Sequence, residues 1–196
     1  MTPKGIKCDM KRTLIIIAIL IASALIALLW VRIDTAITKN NYPTPERYNE
    51  PVELYSEEYS VPQDLVYAVI KIESKFKSDA MSERGALGLM QMLPETFFWL
   101  SKKTGDCYED ENLLYNPDIS IKYGTYYLSW LYSRYNSWET AVAAYNAGHG
   151  NVDDWLKSDE YSKDGTLIYI PFKETREYVE KVKKARETYK ELYFEN

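Results

Sequence analysis

The segment Val61-Pro-Gln-Asp-Leu-Val-Tyr-Ala-Val-Ile-Lys-Ile-Glu73-Ser74 has the pattern of a helix that packs into a core, and it places a carboxylate where this pattern predicts an apolar residue. Four apolar residues form a stripe along one side of a predicted helix: Leu65, Val66, Val69 and Ile70. Glu73 continues this stripe at the i+3 and i+4 positions. Apolar surroundings disfavour the charged form of a carboxyl group and raise its pKa. The pattern therefore predicts a proton donor at Glu73.

Glu73 also allows two purely structural interpretations. The helix can end there and leave the carboxylate in water, or the acid can form an ion pair with Lys71, Lys75 or Arg84. Because charged residues are seldom fully buried, position alone does not separate a structural role from a chemical one.

Residues 13–31 form an uncharged apolar run of 19 residues. As a helix the run would span about 28 Å, which predicts a membrane-spanning segment with Trp30 at one interface. The preceding residues 1–12 carry an excess of positive charge, from Lys4, Lys7, Lys11 and Arg12 against Asp9. Basic residues stay on the cytoplasmic side, so we expect a cytoplasmic tail, a single pass through the cell membrane and an extracytoplasmic domain.

A cleaved signal peptide is the alternative for this segment. Ala22-Ser23-Ala24 has the small-x-small form that signal peptidases accept. Cleavage there would leave an apolar stretch at the new N-terminus, and the run is longer than an ordinary signal-peptide core, so the pattern favours an uncleaved anchor. Residues 32–48 follow as a polar, proline-containing tether, and residues 49–196 are long enough for one domain.

The charge of the chain outside residues 1–12 argues against nucleic acid as a partner. Of the 24 basic and 29 acidic residues, four and one fall in the tail, which leaves 20 against 28 and a net charge of −8. No cluster with metal-ligand spacing and no nucleotide-binding glycine pattern occurs, so the sequence predicts neither metal nor cofactor. Cys8 and Cys107 fall on opposite sides of the predicted membrane, which excludes a disulfide between them within one chain.

Turn chemistry marks several helices after Glu50. Pro62 suits the first turn of the Glu73 helix, Pro94 opens a helix to about Lys103, and Asn116-Pro117 combines an N-cap with a first-turn proline. Further helices are expected from Ser137 to a left-handed Gly148 and from about Phe172 to Tyr193, with close packing at Gly124. Only Thr166–Ile170 has an extended pattern, so the predicted fold is mainly α.

Three further stretches have compositions that packing does not explain. Ser82-Glu-Arg-Gly-Ala-Leu-Gly-Leu-Met-Gln91 places an amide after two glycines, where it suits sugar hydroxyl and acetamido groups, although an ordinary turn is the simpler interpretation. Ala143-Ala-Tyr-Asn-Ala-Gly148 presents Tyr145 and Asn146 at a helix end. Glu174-Thr-Arg-Glu-Tyr178 puts a tyrosine hydroxyl on an apolar seam. Each tyrosine taken alone is equally compatible with a core position.

Taken in order, these four motifs resemble the catalytic domain of the soluble lytic transglycosylase family, from about Tyr48 to Lys190. The resemblance implies a lysozyme-like helical domain of the goose-type lysozyme and lytic transglycosylase kind, with minimal β structure, preceded by one transmembrane helix. It implies that Glu73 is the single catalytic acid and base. It also implies substrate-binding roles for seven residues: Ser74, Ser82, Gln91, Leu93, Tyr145, Asn146 and Tyr178. Many relatives have Met where this chain has Leu93.

The implied reaction is cleavage of the β-1,4 bond between N-acetylmuramic acid and N-acetylglucosamine in peptidoglycan, with a 1,6-anhydromuramoyl product. One acid suffices for this reaction, whereas ordinary glycosidases need two. A lysozyme-type hydrolase is the nearest alternative, with Asp79, Glu83 or Glu95 positioning a water. A non-catalytic glycan-binding module is the other. His149, the single histidine, is predicted to be a solvated side chain. No sequence feature identifies a secretion or cell-wall protein as partner.

Overall fold

The computed structural model describes residues 4–195, with side chains from Arg12 to Glu195, and the described part of the protein is mainly helical, as predicted. One antiparallel pair of two-residue strands is its regular sheet. A 3-10 turn (Glu111–Tyr115) precedes α5 and a π-helical turn (Lys190–Phe194) follows α8. The elements are α1 (Lys4–Asn41), α2 (Glu46–Tyr59), α3 (Gln63–Glu73), α4 (Pro94–Thr104), α5 (Pro117–Tyr135), α6 (Trp138–Ala147), α7 (His149–Trp155), β1 (Ser162–Lys163), β2 (Thr166–Leu167) and α8 (Lys173–Tyr189).

Among the described residues, α1 is the one helix long and apolar enough to cross a membrane, from Arg12 to Asn41. The predicted span 13–31 lies inside it. The helix continues to Asn41 and α2 begins at Glu46, so most of the predicted tether 32–48 is helical. Backbone contacts divide the chain into a unit ending at Pro43 and a second beginning at Thr44. Residues 1–3 of the predicted tail and the side chain of Cys8 lie outside the described residues.

Local turn chemistry fixes the helix starts that the sequence predicted. The Asn116 side chain accepts a hydrogen bond from the Asp118 amide at the start of α5, and the Ser137 hydroxyl does the same for the Thr140 amide at the start of α6. Pro94 is the first residue of α4, as expected. Pro62 lies immediately before α3 rather than inside its first turn.

Helix ends and the extended segment differ in part from the prediction. Gly148 ends α6 with a positive φ of 84°, but its ψ of 140° is not that of a left-handed helix. The last α-helix ends at Tyr189, four residues early, because the chain changes to π-helical hydrogen bonding. Of the extended segment, only Thr166–Leu167 forms a strand, paired with Ser162–Lys163.

The core lies where α3, α5, α6 and α8 pack together: α3 packs on α8, α6 on both α5 and α8, and α5 also on α2. The apolar stripe of α3 is fully buried there. Gly124 in α5 faces Met90, and a β-carbon at this position would lie 2.3 Å from the Met90 sulfur. The predicted close packing at Gly124 is therefore confirmed, and it holds the loop before α4 against the helices.

Candidate active site

A cleft of about 610 Å³ opens at the C-terminal end of α3. One side, which we call the helix wall, consists of Glu73, the end of α6 and the beginning of α8. The opposite side, the loop wall, consists of residues 80–93. The cleft is lined by Glu73, Ser82, Glu83, Arg84, Ala86, Gln91, Met92, Leu93, Thr96, Tyr127, Tyr145, Asn146, Ala147, Gly148 and Glu174.

Glu73 is the last residue of α3, where the buried stripe of the helix reaches the cleft. Its side chain keeps some exposure because it faces the cleft. The buried Tyr178 of α8 donates a hydrogen bond from its hydroxyl to Glu73 Oε1 over 2.6 Å. This bond joins residues 105 positions apart and fixes the orientation of the carboxyl group.

Burial raises the pKa of Glu73 from its ordinary value of 4.5 to about 7, although the hydrogen bond from Tyr178 acts in the opposite direction. Burial, followed by the nearby charge of Glu73, also raises the pKa values of Tyr145 and Tyr178 well above 10, so both hydroxyls stay protonated. Glu73 can therefore exchange a proton near neutral pH while its neighbours remain donors.

Gln91 lies on backbone that the two glycines of the loop wall make possible. Gly88 has a φ of +75°, and a β-carbon there would lie 1.9 Å from the carbonyl oxygen of Leu114. Gln91 itself has a φ of 47°. Its Nε2 donates to the carbonyl oxygens of Ala80 (3.1 Å) and Gly88 (2.9 Å). The amide nitrogen thus holds the loop, which leaves Oε1 as an acceptor for a ligand.

Ser82 closes a tight turn at the rim of the loop wall. The Gly85 amide donates to the Ser82 carbonyl over 3.0 Å, and Ser82 Oγ accepts from the Ala86 amide over 2.9 Å. The turn places Glu83 and Arg84 at its tip. Leu93 lies at the other end of the loop wall and is 37% exposed, as an apolar edge of the cleft.

Tyr145 and Asn146 end α6 and are each fixed by a contact outside that helix. The Tyr145 hydroxyl donates to the carbonyl oxygen of Met90 over 2.7 Å, which joins the helix wall to the loop wall. The buried Thr175 hydroxyl donates to Asn146 Oδ1 over 2.8 Å. Asn146 consequently presents its Nδ2 hydrogens, so it is available as a donor.

The structure brings most of the predicted site residues together. Ser82, Gln91, Leu93, Tyr145 and Asn146 line the cleft with Glu73. Tyr178 contacts Glu73 from the core side. Ser74 does not line the cleft: it is buried, and its hydroxyl donates to the carbonyl oxygen of Ile70.

Several residues of the cleft were not predicted as site residues. Glu83, Thr96, Tyr127 and Glu174 line it, and so does Arg84, which forms an ion pair with Glu174 at 3.2 Å rather than with Glu73. All but Tyr127 lie within or next to the predicted motifs, which was the one available signal; Tyr127 lies in the middle of α5. Asp79 and Glu95, two acids of the hydrolase alternative, are not among the lining residues, whereas Glu83 is.

The prediction for His149 is wrong. The residue begins α7 and lies half-buried among aromatic rings rather than in solvent. Its ring stacks on Trp99 at 6.0 Å and meets the edge of Trp130 at 5.2 Å. The glycines on either side suggested an open loop, but the aromatic side chains come from α4 and α5, far away in the sequence.

Comparison with protein families and curated proteins agrees with this geometry. The Transglycosylase SLT domain family matches residues 50–168, more than half of the chain. The soluble lytic murein transglycosylase of Escherichia coli K12 is 34% identical over 142 residues, 70% of this chain and 22% of that protein. The membrane-bound lytic murein transglycosylase C of Actinobacillus pleuropneumoniae serotype 5b is 32% identical over 166 residues, 73% of this chain and 46% of that protein. The chain thus spans less than half the length of these relatives.

Solved structures share the fold. An inactive glutamate-to-glutamine mutant of the lytic transglycosylase Slt from Pseudomonas aeruginosa superposes with a TM-score of 0.67 and 35% identity, covering 76% of this chain and 24% of that one. The 70-kDa soluble lytic transglycosylase of Escherichia coli superposes with a TM-score of 0.71 and 29% identity, covering 80% of this chain and 26% of that one. The predicted lysozyme-like helical fold is confirmed by these neighbours. With its four motifs gathered around one cleft, the chain belongs to the transglycosylase SLT domain family.

Proposed function

We propose that the protein is a membrane-anchored lytic transglycosylase of peptidoglycan. It cleaves the β-1,4 bond between N-acetylmuramic acid and N-acetylglucosamine and forms a 1,6-anhydromuramoyl product. The observation that carries the proposal is Glu73, a carboxyl group with a pKa of about 7 that faces a cleft and is oriented by Tyr178.

In the first step, protonated Glu73 donates its proton to the glycosidic oxygen as the bond to the muramoyl C1 breaks. The acetamido group of the same sugar stabilises the positive charge that develops at C1. Tyr178 keeps the carboxyl group in place while its charge changes, because its hydroxyl hydrogen-bonds to the carboxylate more strongly than to the acid.

In the second step, the Glu73 carboxylate accepts the proton of the muramoyl C6 hydroxyl, and O6 forms a bond to C1 that closes the anhydro ring. The carboxyl group returns to its protonated form, and no water is consumed. A group whose pKa lies near 7 is suited to both steps, since the donor and acceptor forms are both populated at neutral pH.

The two amides of the cleft have opposite polarity, which supports recognition of an N-acetylated sugar. Gln91 offers the acceptor Oε1, because Nε2 is bound to the loop. Asn146 offers the donor Nδ2, because Oδ1 is bound to Thr175. An acetamido group carries one N–H donor and one carbonyl acceptor, and so complements this pair.

The names of the relatives support the same activity. The curated relatives are called lytic murein transglycosylases, and one solved neighbour is an inactive glutamate-to-glutamine mutant. A further solved neighbour is a complex of the 70-kDa soluble lytic transglycosylase with bulgecin A, 29% identical with a TM-score of 0.72.

Product analysis tests the activity. Purified protein is incubated with isolated peptidoglycan sacculi, and the masses of the soluble muropeptides are measured by mass spectrometry. The expected products are lighter by one water than hydrolysed muropeptides, and Glu73→Gln abolishes them while the fold is retained. Glu95→Gln is the matched control, an exposed acid in the first turn of α4. Products with only reducing-end muramic acid, or undiminished digestion by Glu73→Gln, would refute the proposal.

The hydrolase alternative is tested by the same assay. Glu83 lines the cleft and is the acid of that alternative with access to a bound glycan. If Glu83 positioned a nucleophilic water, Glu83→Gln would remove most of the activity and the wild-type products would contain the added water. We expect anhydro products from both the wild type and Glu83→Gln.

The membrane orientation follows from charge. The excess of basic residues before the apolar run of α1 supports a cytoplasmic N-terminus and an extracytoplasmic catalytic domain, attached through residues 13–31. Cys107 is exposed, which provides a test. In intact spheroplasts, a membrane-impermeant maleimide should label a Cys8→Ser variant at Cys107 and leave a Cys107→Ser variant unlabelled until lysis. The reverse labelling pattern would contradict this orientation.

A further inference from the structure

Arg84 is the one cation among the described residues that line the cleft, which otherwise carries the acids Glu73, Glu83 and Glu174. Its partner Glu174 belongs to the opposite wall, 90 positions away in the sequence. The turn closed by Ser82 holds Arg84 at the rim. The ion pair therefore joins the tip of the loop wall to the first turn of α8.

The Arg84–Glu174 pair contributes little to the fold. The two side chains are 79% and 67% exposed, and exposed pairs contribute about 0–1 kcal/mol. Glu174 is also stabilised without Arg84, because it lies in the first turn of α8, where the positive end of the helix dipole favours an acid. Arg84 can accordingly leave its partner for an anionic ligand at low energetic cost.

The proposed substrate carries such an anion, so this inference rests on the proposed function. Sugar hydroxyl and acetamido groups are neutral, and uncharged side chains such as Gln91 and Asn146 can hydrogen-bond to them. The negative charge of peptidoglycan lies on the lactyl substituent of muramic acid, either as the free lactyl carboxylate or as carboxylates of the attached peptide stem. A guanidinium group binds carboxylates through paired hydrogen bonds.

We infer that Arg84 is a specificity-determining residue that binds a carboxylate on the lactyl side of muramic acid, and that Glu174 occupies the same guanidinium group in the free enzyme. Of the 24 basic and 29 acidic residues, 20 and 28 lie outside residues 1–12, a net charge of −8 that repels an anionic polymer at long range. A single exposed cation at the rim of the cleft offsets this repulsion where the muramoyl residue enters.

Ligands with and without a carboxylate test this role. Two of the ligands carry carboxylates. Sacculi with intact stems carry those of the peptide, and glycan strands treated with an amidase carry the free lactyl carboxylate, so comparing the two identifies which carboxylate Arg84 binds. Oligomers of N-acetylglucosamine carry none. Kinetics are measured with the two peptidoglycan substrates, and binding of all three ligands is measured with the Glu73→Gln background.

Arg84→Gln should raise KM about tenfold for at least one carboxylate ligand, with little change in kcat, and leave the affinity for the neutral oligomer unchanged. Glu174→Gln should lower KM a few-fold, because the competing carboxylate is removed. Arg84→Lys should retain part of the affinity. Lys77→Gln is the matched control, since it removes an exposed positive charge that does not line the cleft.

Equal weakening of charged and neutral ligands by Arg84→Gln, or no change with any of them, would overturn the inference. Binding measured in the Glu73→Gln variant does not depend on turnover, so it tests Arg84 separately from the proposed reaction. If the wild type cleaves nothing, the proposed reaction fails, while the binding measurements still report on Arg84.

Discussion

The helix wall and the loop wall of the cleft hold their functional groups by different means. On the helix wall, Glu73 and its partner Tyr178 stand on helices whose apolar faces form the core, so burial sets the pKa of the acid. On the loop wall, Gln91 rests on positive-φ backbone that its own amide nitrogen ties together. The helix wall therefore sets the acidity of Glu73, whereas the loop wall fixes the polarity and position of ligand contacts.

The largest effect is expected on the loop wall, at Gly88. Gly88→Ala forces a β-carbon onto the Leu114 carbonyl and strains a φ of +75°, so we expect a loss of about 4 kcal/mol in the free energy of unfolding. Gly85→Ala is the matched control: its φ is similar at +78°, but no atom lies within 4 Å of the added carbon. Gly85→Ala should lower the free energy of unfolding by only about 1 kcal/mol, as measured by urea denaturation. Equal losses of unfolding free energy in the two variants would mean that backbone strain, not the close approach to Leu114, explains the need for glycine at position 88.

The helix wall should reveal the buried acid through the pH dependence of stability. The folded-state pKa of about 7 exceeds the ordinary value of 4.5, so stability falls as the pH rises between these values and is then level. Glu73→Gln removes this loss. It should raise the free energy of unfolding relative to the wild type by up to about 3 kcal/mol above pH 7, and by much less near pH 4. A variant whose advantage did not grow with pH would contradict burial of the acid.

Tyr178→Phe is expected to have the next largest effect. The hydrogen bond from Tyr178 lowers the pKa of Glu73, so its removal should shift the pH profile of kcat to higher pH and reduce kcat about ten- to a hundredfold. Tyr67→Phe is the control, because it deletes a tyrosine hydroxyl bonded to Asn49, which does not line the cleft. A profile that stayed in place would show that Tyr178 does not act on Glu73.

The smallest effect is expected at Thr175, which positions Asn146 without lining the cleft. Thr175→Val removes the donor to Asn146 Oδ1, so the amide can rotate and KM should rise about three- to tenfold with kcat nearly unchanged. Thr188→Val removes the hydroxyl of another α8 threonine, which is half-buried and donates to the Lys184 carbonyl oxygen, and serves as control. A fall in kcat with unchanged KM would instead link Asn146 to the chemical step.

The helices of the protein were predictable because their signals are local. Asn116-Pro117, Ser137 and Pro94 each act on the backbone within three residues, and the stripe of α3 follows from periodicity alone. The stripe also marked Glu73 as a candidate acid, but its role as the central acid was implied by the family resemblance. The contact with Tyr178 was implied by the family resemblance, not by any local pattern.

Contacts between distant segments were not predictable in the same way. The sequence suggested that Gln91 offers its whole amide to a ligand, but the loop uses the nitrogen. Arg84 was considered as a partner of Glu73, yet it pairs with Glu174. His149 was expected in solvent and lies against Trp99 and Trp130. Each contact depends on which distant segments pack together, and the residues adjacent in the sequence carry no signal for that packing.

Titration of the Glu73 carboxyl group tests whether this residue can serve as both acid and base. Its side-chain carbon can be followed by 13C NMR in the intact protein and assigned by its absence from Glu73→Gln. We expect a midpoint at about pH 7, where one residue can act first as acid and then as base. A midpoint near the ordinary value of 4.5 would contradict it.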